Sequence, residues 1–471
     1  MNYISTRGSA PQLNFEGALM AGLARDGGLY VPGSWPHLAP EAIAALAGQP
    51  YAHTAASVMQ PLVEDAIPAA EFADLIAAAY RDFAHPAVAP MVQLGDNLWL
   101  LELFHGPTLA FKDLAMQLLG LLMDRSLKRS GRRATILAAT SGDTGAAAVE
   151  AFKNRDAIDL FVLFPDGRVS AAQRRQMTTA DAANVHPIAV KGTFDDCQAI
   201  VKTLFGDLAF RDEVQLSAVN SINWARILAQ TVYYFTAATA LGAPHRPVRF
   251  SVPTGNFGDI FAGYAARCMG LPIERLIIAT NSNDILARTL ETGIYQPRPV
   301  VATASPSMDI QVSSNFERLI FEVSGRDSTR VKALMADFAE TGSFALGQAE
   351  LAAMRDAFSA CRVDEAETAA TIARLYRETG YLADPHTAVG LTAAMHQAGD
   401  SSAPMIALAT AHPAKFPDAI EKAAGCLPPV PRRLENALSG REDFASIDAN
   451  ASSVRALILQ RSRIQAIGAP S

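Results

Sequence analysis

One lysine stands among turn residues in the stretch His105-Gly106-Pro107-Thr108-Leu109-Ala110-Phe111-Lys112-Asp113, just ahead of an apolar run with helical spacing over 112–127. An amine held there can condense with an aldehyde cofactor to a Schiff base and then move protons at the neighbouring carbons. That chemistry requires the lysine to shed its proton near neutral pH, which burial or a nearby positive charge promotes. Gly106, Pro107 and Thr108 fix a rigid approach, and Phe111 and Leu114 offer apolar surroundings. The alternative for Lys112 is an ordinary solvated lysine in a first helical turn, since a short motif by itself is weak evidence.

Further segments have the composition of anion sites. Thr140-Ser141-Gly142-Asp143-Thr144-Gly145 follows a strand-like run and opens a helix over 146–152. Backbone N–H groups at a helix start, with hydroxyls beside them, favour a carboxylate or a phosphate. Ser, Asp and Thr are equally good caps of an ordinary helix, so the residues alone leave both readings open. Thr254-Gly255-Asn256-Phe257-Gly258-Asp259 follows the apolar strand pattern 248–252. Its two glycines let main-chain N–H groups turn toward an anion without Cβ interference, although a plain strand-to-helix turn has the same look. It is neither GxGxxG nor a Walker pattern, which sets nucleotide binding aside. Asn220-Ser221-Ile222-Asn223-Trp224-Ala225-Arg226 leads into a long helix carrying Gln230, Tyr233 and Tyr234. A guanidinium with amide and hydroxyl donors suits a phosphate dianion; capping by Ser221 or Asn223 plus a surface arginine is the plainer alternative. Lys191 and Arg174 add positive charge without an evident place. One reactive amine plus anion-cradling turns is what a pyridoxal phosphate enzyme requires.

These residues need elements to position them. From Asn97 onward short apolar runs alternate with helical patterns: 98–103, 135–139, 160–164, 185–190, 248–252, 276–279 and 405–409 read as strands, with helices after the second and the fourth of these. Such alternation predicts parallel sheets covered on both faces. Ligands in these sheets lie beyond the carboxyl ends of the strands, which puts residues 140–145, 253–258 and 410–413 on one rim. Residues up to about 94 read mostly as helices, at 41–47 and 69–83, broken by the turn-rich 27–33. The tail after Pro428-Pro429-Val430-Pro431 is polar and helix-prone, a peripheral appendage.

A chain of 471 residues is too long for one ordinary core and divides into two or three domains. With 40 basic against 47 acidic residues and no long basic run, nucleic-acid binding is set aside as the main role. Cys197, Cys268, Cys361 and Cys426 form no CxxC pair, which speaks against structural zinc and a disulfide framework; Cys197 and Cys268 read as buried small hydrophobes. The first residues, MNYISTRGSAPQ, show no secretory pattern, and the most apolar run falls short of the roughly 18 residues that span a bilayer.

The motifs Tyr3-Ile4-Ser5-Thr6-Arg7-Gly8, Gly22-Leu23-Ala24-Arg25-Asp26-Gly27-Gly28-Leu29-Tyr30-Val31-Pro32 and His412-Pro413-Ala414-Lys415-Phe416-Pro417, with those above, extend over nearly the whole chain except its last few tens of residues. On them the chain resembles the threonine synthase family, fold-type II pyridoxal phosphate enzymes. The resemblance implies an α/β fold of the tryptophan synthase β type: two parallel-sheet, three-layer domains plus an N-terminal, mostly helical domain. The implied division is an N-terminal domain over 1–95, a large cofactor-binding domain over 96–130 and 216–430, a small mobile domain over 131–215, and a C-terminal helical appendage over 431–471.

It also implies roles. Lys112 forms the internal aldimine with pyridoxal 5'-phosphate and acts as the catalytic base. Thr254, Gly255, Asn256, Phe257 and Gly258 bind the cofactor, and the Thr410 hydroxyl meets its pyridine nitrogen, leaving that nitrogen largely unprotonated. Thr140, Ser141, Gly142, Asp143 and Thr144 bind the substrate carboxylate. Fold-type II enzymes often carry Asn where this chain has Asp143, and threonine synthases resembling it carry Asp. Asn220, Ser221 and Arg226 bind the substrate's phosphate. His412 is left without a role, and Asp384-Pro385-His386 reads as a capped helix start. The implied activity is that of a lyase, the last step of threonine biosynthesis: O-phospho-L-homoserine and water give L-threonine and phosphate by γ-elimination and β-addition. No metal is implied. The expected partner is that small molecule, with no nucleic acid or membrane, in a cytoplasmic monomer or homodimer. The rivals are a serine/threonine dehydratase using the same lysine, a catalytically silent relative that binds phosphorylated ligands, and a structural or interaction protein.

Overall fold

Strand Ile158–Pro165 is buried along its whole length, which is possible only in a sheet covered on both faces. In the computed structural model, which describes residues 1–399 and 401–464, two such sheets form. The smaller runs in the order Ala445–Asp448, Val185–Lys191, Ile158–Pro165, Ala134–Ala139, Leu216–Ser217, with every pair parallel. The larger runs Phe358–Arg362, Ile273–Thr280, Val248–Pro253, Met405–Ala409, Leu98–Glu102, Met91–Gln93, parallel except for its last pair.

The order of the larger sheet positions the chemistry. Strands Val248–Pro253, Met405–Ala409 and Leu98–Glu102 are neighbours, so the segments leaving their carboxyl ends converge although they are far apart in sequence. These segments carry residues 254–258, Thr410 and Lys112. In the smaller sheet, Ala134–Ala139 lies beside Leu216–Ser217, which brings residues 140–144 next to 220–221. The single rim expected from sequence is therefore two rims, one from each sheet, facing each other across a cleft.

Helix Trp224–Ala240, almost wholly buried, packs against the lysine helix Lys112–Ser130, helix Gly258–Cys268 and helix Tyr51–Val63. The N-terminal region adds helices Phe15–Ala21, Pro40–Ala44 and Ala69–Tyr80, and an antiparallel pair, Tyr3–Ser5 with Tyr30–Pro32. Its opening motif is a fastening: Tyr3 donates to the Leu62 carbonyl at 2.8 Å and accepts from Trp224 Nε1 at 2.9 Å, and Thr6 donates to Glu317 at 2.6 Å.

Three expectations need correction. A helix, Ala171–Thr178, stands between the second and third strands of the smaller sheet in chain order, opened by a capping box of Ser170 and Gln173. The segment after 431 contains, besides helices Arg432–Ser439 and Ala451–Arg461, the strand that extends the smaller sheet past Val185–Lys191, so it belongs to that lobe instead of hanging from the molecule. Val454 and Ile458 bury themselves against Cys197 and Ile200, and Arg463 neutralises the fully buried Asp159 at 2.5 Å. Cys197 is buried as expected, whereas Cys268 is only partly so. None of the described helices is long and apolar enough to cross a membrane.

Candidate active site

The two rims enclose a cavity of about 210 Å³. Lys112 is the first residue of its helix, and backbone bonds tie the preceding loop to the end of a neighbouring strand: Phe111 N donates to Thr410 O at 2.8 Å and His412 N to Leu109 O at 3.0 Å. Its Nζ sits 4.9 Å from the centre of the Phe111 ring and faces the cavity. Burial, opposed by Asp143 and helped by Arg226 and Lys415, lowers the amine to about 8, close to the range in which a lysine works as nucleophile and base. Asp113 turns the other way. It accepts from Thr108 N and Thr108 Oγ1, both at 2.7 Å, and its packing leaves no room for a side chain at Gly106.

From the larger sheet, Thr254, Gly255, Asn256, Phe257 and Gly258 all line the cavity. Phe257 takes a left-handed conformation (φ 61°) at the head of helix Gly258–Cys268, whose first N–H groups have no intrahelical acceptor. A Cβ on Gly255 would stand 3.0 Å from the Ser307 carbonyl and 2.9 Å from Ile310 Cδ1, so a side chain there would crowd the facing segment. The Thr254 hydroxyl donates back to Val252 O at 2.6 Å. Thr410 reaches the cavity with its N–H bonded to Thr387 Oγ1 at 3.1 Å.

From the smaller sheet, Thr140, Ser141 and Thr144 line the cavity, but Gly142 and Asp143 do not. Thr140 Oγ1 accepts from Gly142 N at 2.9 Å and Gly145 N at 2.8 Å, which consumes the Gly142 donor within the loop. The Asp143 carboxylate, expected at the substrate, is turned into protein and paired with Lys415 at 2.7 Å and Gln173 at 2.9 Å. Burial alone would raise Asp143, yet Lys415 and Lys112 pull it far below the usual carboxylate range. Asn220, Ser221 and Arg226 complete the wall. Arg226 is buried and burial lowers it to about 10; its Nε, with Asn220 Oδ1, Ser307 Oγ and Asp259 Oδ2, has no hydrogen-bond partner among the described residues. Buried polar atoms without partners are costly, and these are the atoms a bound anion or donor would satisfy.

Arg174 and Lys191, read as possible contributors of positive charge, are taken by the tail: Arg174 pairs with Glu442 at 2.9 Å and Lys191 with Asp448 at 3.1 Å. His412 caps the short helix Pro413–Lys415 and is pushed by burial to about 4, outside the cavity. The structure adds residues that the motifs contained without a site role. His386 lines the cavity, with Nδ1 held by Asp384 at 2.7 Å, so the expected cap and a site contact coexist on one aspartate. Asp259 also lines it; burial raises its carboxyl to about 6 while Tyr233 and Tyr234 donate to Oδ1 at 2.5 and 2.8 Å. Among the described residues no His, Cys, Asp and Glu grouping has the makings of a metal site.

Comparison with known proteins bears on this cavity. The family described as "Threonine synthase N terminus" matches residues 2–80, "Pyridoxal-phosphate dependent enzyme" matches 86–410, and "Threonine synthase, C-terminal" matches 387–458. The chain belongs to the threonine synthase family. A threonine synthase of Pseudomonas aeruginosa is 51% identical over 461 residues, covering 98% of each chain. The solved structure of a family member from Brucella melitensis, bound to pyridoxal phosphate, superposes with a TM-score of 0.95 at 55% identity, covering 98% of this chain and 100% of that one. The yeast threonine synthase structure gives 0.92 at 39% identity, with 98% of each covered. Family membership makes pyridoxal phosphate the cofactor, and the cavity fits it: a buried amine near neutrality faces a glycine-built turn and unsatisfied donors on the same space.

Proposed function

We propose that this chain converts O-phospho-L-homoserine and water to L-threonine and inorganic phosphate. One observation carries the reading: the Lys112 amine and the unpartnered guanidinium of Arg226 share one buried cavity, which suits an amino acid that carries a phosphate. Lys112 would hold the cofactor covalently, the 255–258 turn its phosphate, and Thr410 its ring nitrogen. Bound pyridoxal phosphate supplies an electron sink that acidifies the substrate's Cα and Cβ protons and lets phosphate leave Cγ. The chain's own residues do the rest. Lys112, near neutrality, takes the Cα proton and returns protons to carbon. Ser141 and Thr144 orient the substrate carboxylate, and Asn220, Ser221 and Arg226 grip the phosphate before and after it leaves.

Stray water must be kept out until the hydration step, so the lobe over 131–215, with its strand Ala445–Asp448, closes on the larger one. Structures with and without a substrate analogue test this motion; an unmoved lobe counts against it. The protein works in the cytoplasm as a monomer or homodimer, on a small molecule rather than a nucleic acid or membrane.

The deciding experiment incubates purified protein with pyridoxal phosphate and O-phospho-L-homoserine and measures threonine and inorganic phosphate. Equal release of both is expected. Neither product here, with ammonia released from L-serine or L-threonine in a parallel assay, would point to a dehydratase, and no product in any assay would point to a silent ligand-binding relative.

A further inference from the structure

Lys415 is fully buried. An ammonium there is expensive unless paired, and its Nζ donates to Asp143 Oδ1 at 2.7 Å and to the Thr108 carbonyl at 2.9 Å. Gln173 Nε2 donates to the same Oδ1 at 2.9 Å. The other oxygen, Oδ2, lies 3.8 Å from Lys112 Nζ, beyond hydrogen-bonding distance. Asp143 thus gives its short contacts to Lys415 and Gln173 and only a long one to Lys112.

We propose that Lys415 is a positioning residue for Lys112: it draws the Asp143 carboxylate aside, so that the carboxylate orients the reactive amine without locking it as an ammonium. The inference rests on the reading of Lys112 as the cofactor-bearing amine. The other groups around that amine have partners or act in the same sense, and His386, on the same cavity, is held through Nδ1 by Asp384. Asp113 is bonded twice by Thr108, Asp259 is bonded by Tyr233 and Tyr234, and Arg226 adds repulsion in the same direction as Lys415. Burial is the largest influence lowering Lys112, Asp143 the largest opposing it, and Lys415 adds to the lowering by its own charge.

Lys415 also ties the two lobes together, a plain structural role, because Asp143 and Gln173 belong to helices of the smaller lobe while Lys415 follows a strand of the larger. The test separates the two. The full-length chain, freed of cofactor, is labelled with acetic anhydride across neutral to alkaline pH, and acetylation of Lys112 is followed by mass spectrometry. Lys415→Met is expected to move the labelling midpoint up by about one unit or more, so that labelling below the midpoint falls about tenfold. Asp143→Asn is expected to move it down, and Lys415→Arg to leave it in place. Shifts of Lys415→Met and Asp143→Asn in the same direction, or no shift in either, overturn the proposal. Should Lys415→Met fail to fold, Asp143→Asn decides: a midpoint that stays or rises refutes it. Failure of the wider reading shows elsewhere, as cofactor retained by Lys112→Ala.

Discussion

The N–H of Phe111 donates to the carbonyl of Thr410 at 2.8 Å, fastening the residue before the lysine to the end of strand Met405–Ala409. Ala110 and Ala411 form a bridge beside it. The backbone, not the lysine side chain, therefore holds this part of the site together.

It follows that Lys112→Ala keeps the fold and loses the chemistry. Circular dichroism should be unchanged, no visible absorption band should survive dialysis after loading with pyridoxal phosphate, and turnover should fall at least about a thousandfold, as for loss of a base that is also the covalent anchor. A dialysed variant that keeps its colour would remove Lys112 from the mechanism.

Capture of pyridoxal phosphate should depend on pH with a definite sign. Only the neutral amine attacks an aldehyde, and burial lowers Lys112 to about 8. The capture rate of the cofactor-free chain should therefore climb about tenfold per pH unit below that value and level off above it. Stopped-flow absorbance reads it; a rate still climbing toward the ordinary lysine value would show that burial does not lower this amine.

Arg226 sits buried with Nε unpartnered, so it contributes little to stability and much to an anion. Arg226→Met should leave the thermal midpoint equal or higher, since an unpaired buried charge disappears. The KM for O-phospho-L-homoserine should rise about 10- to 150-fold, matching a lost charge-assisted bond of about 1.5–3 kcal/mol. An unchanged KM in steady-state assays would place the phosphate elsewhere.

Leu434, on helix Arg432–Ser439, is buried against Leu109 beside the lysine loop, Ala414 of the larger lobe and Ala172 of the smaller. Leu434→Ala should cost about 2–5 kcal/mol, the usual range for a buried leucine truncated to alanine. Urea unfolding measures it; a cost below about 1 kcal/mol would show that the tail merely lies on the surface.

Much of this was legible in the residues. The strands at 248–252 and 405–409 announce themselves as apolar runs, and the turns after them meet because their strands are neighbours in the sheet. Helix Ala171–Thr178 was hidden by its polar composition, and strand Ala445–Asp448 is too short for a period-two pattern to stand out. Lys415 escaped for another reason. Nothing local distinguishes a lysine that reaches solvent from one whose carboxylate partner, Asp143, arrives from a different sheet. His386 was read as part of a cap because the cap is real, and Asp384 serves both purposes.

The parallel pairing of Ala445–Asp448 with Val185–Lys191 bears on how the molecule comes into being. During synthesis the ribosome releases the first four strands of that sheet long before the fifth, so the Val185–Lys191 edge waits with open hydrogen-bonding groups. The loop at 140–145, which lines the cavity through Thr140, Ser141 and Thr144, grows from this same sheet, and the nascent chain gains its finished lobe only after residue 448 has emerged.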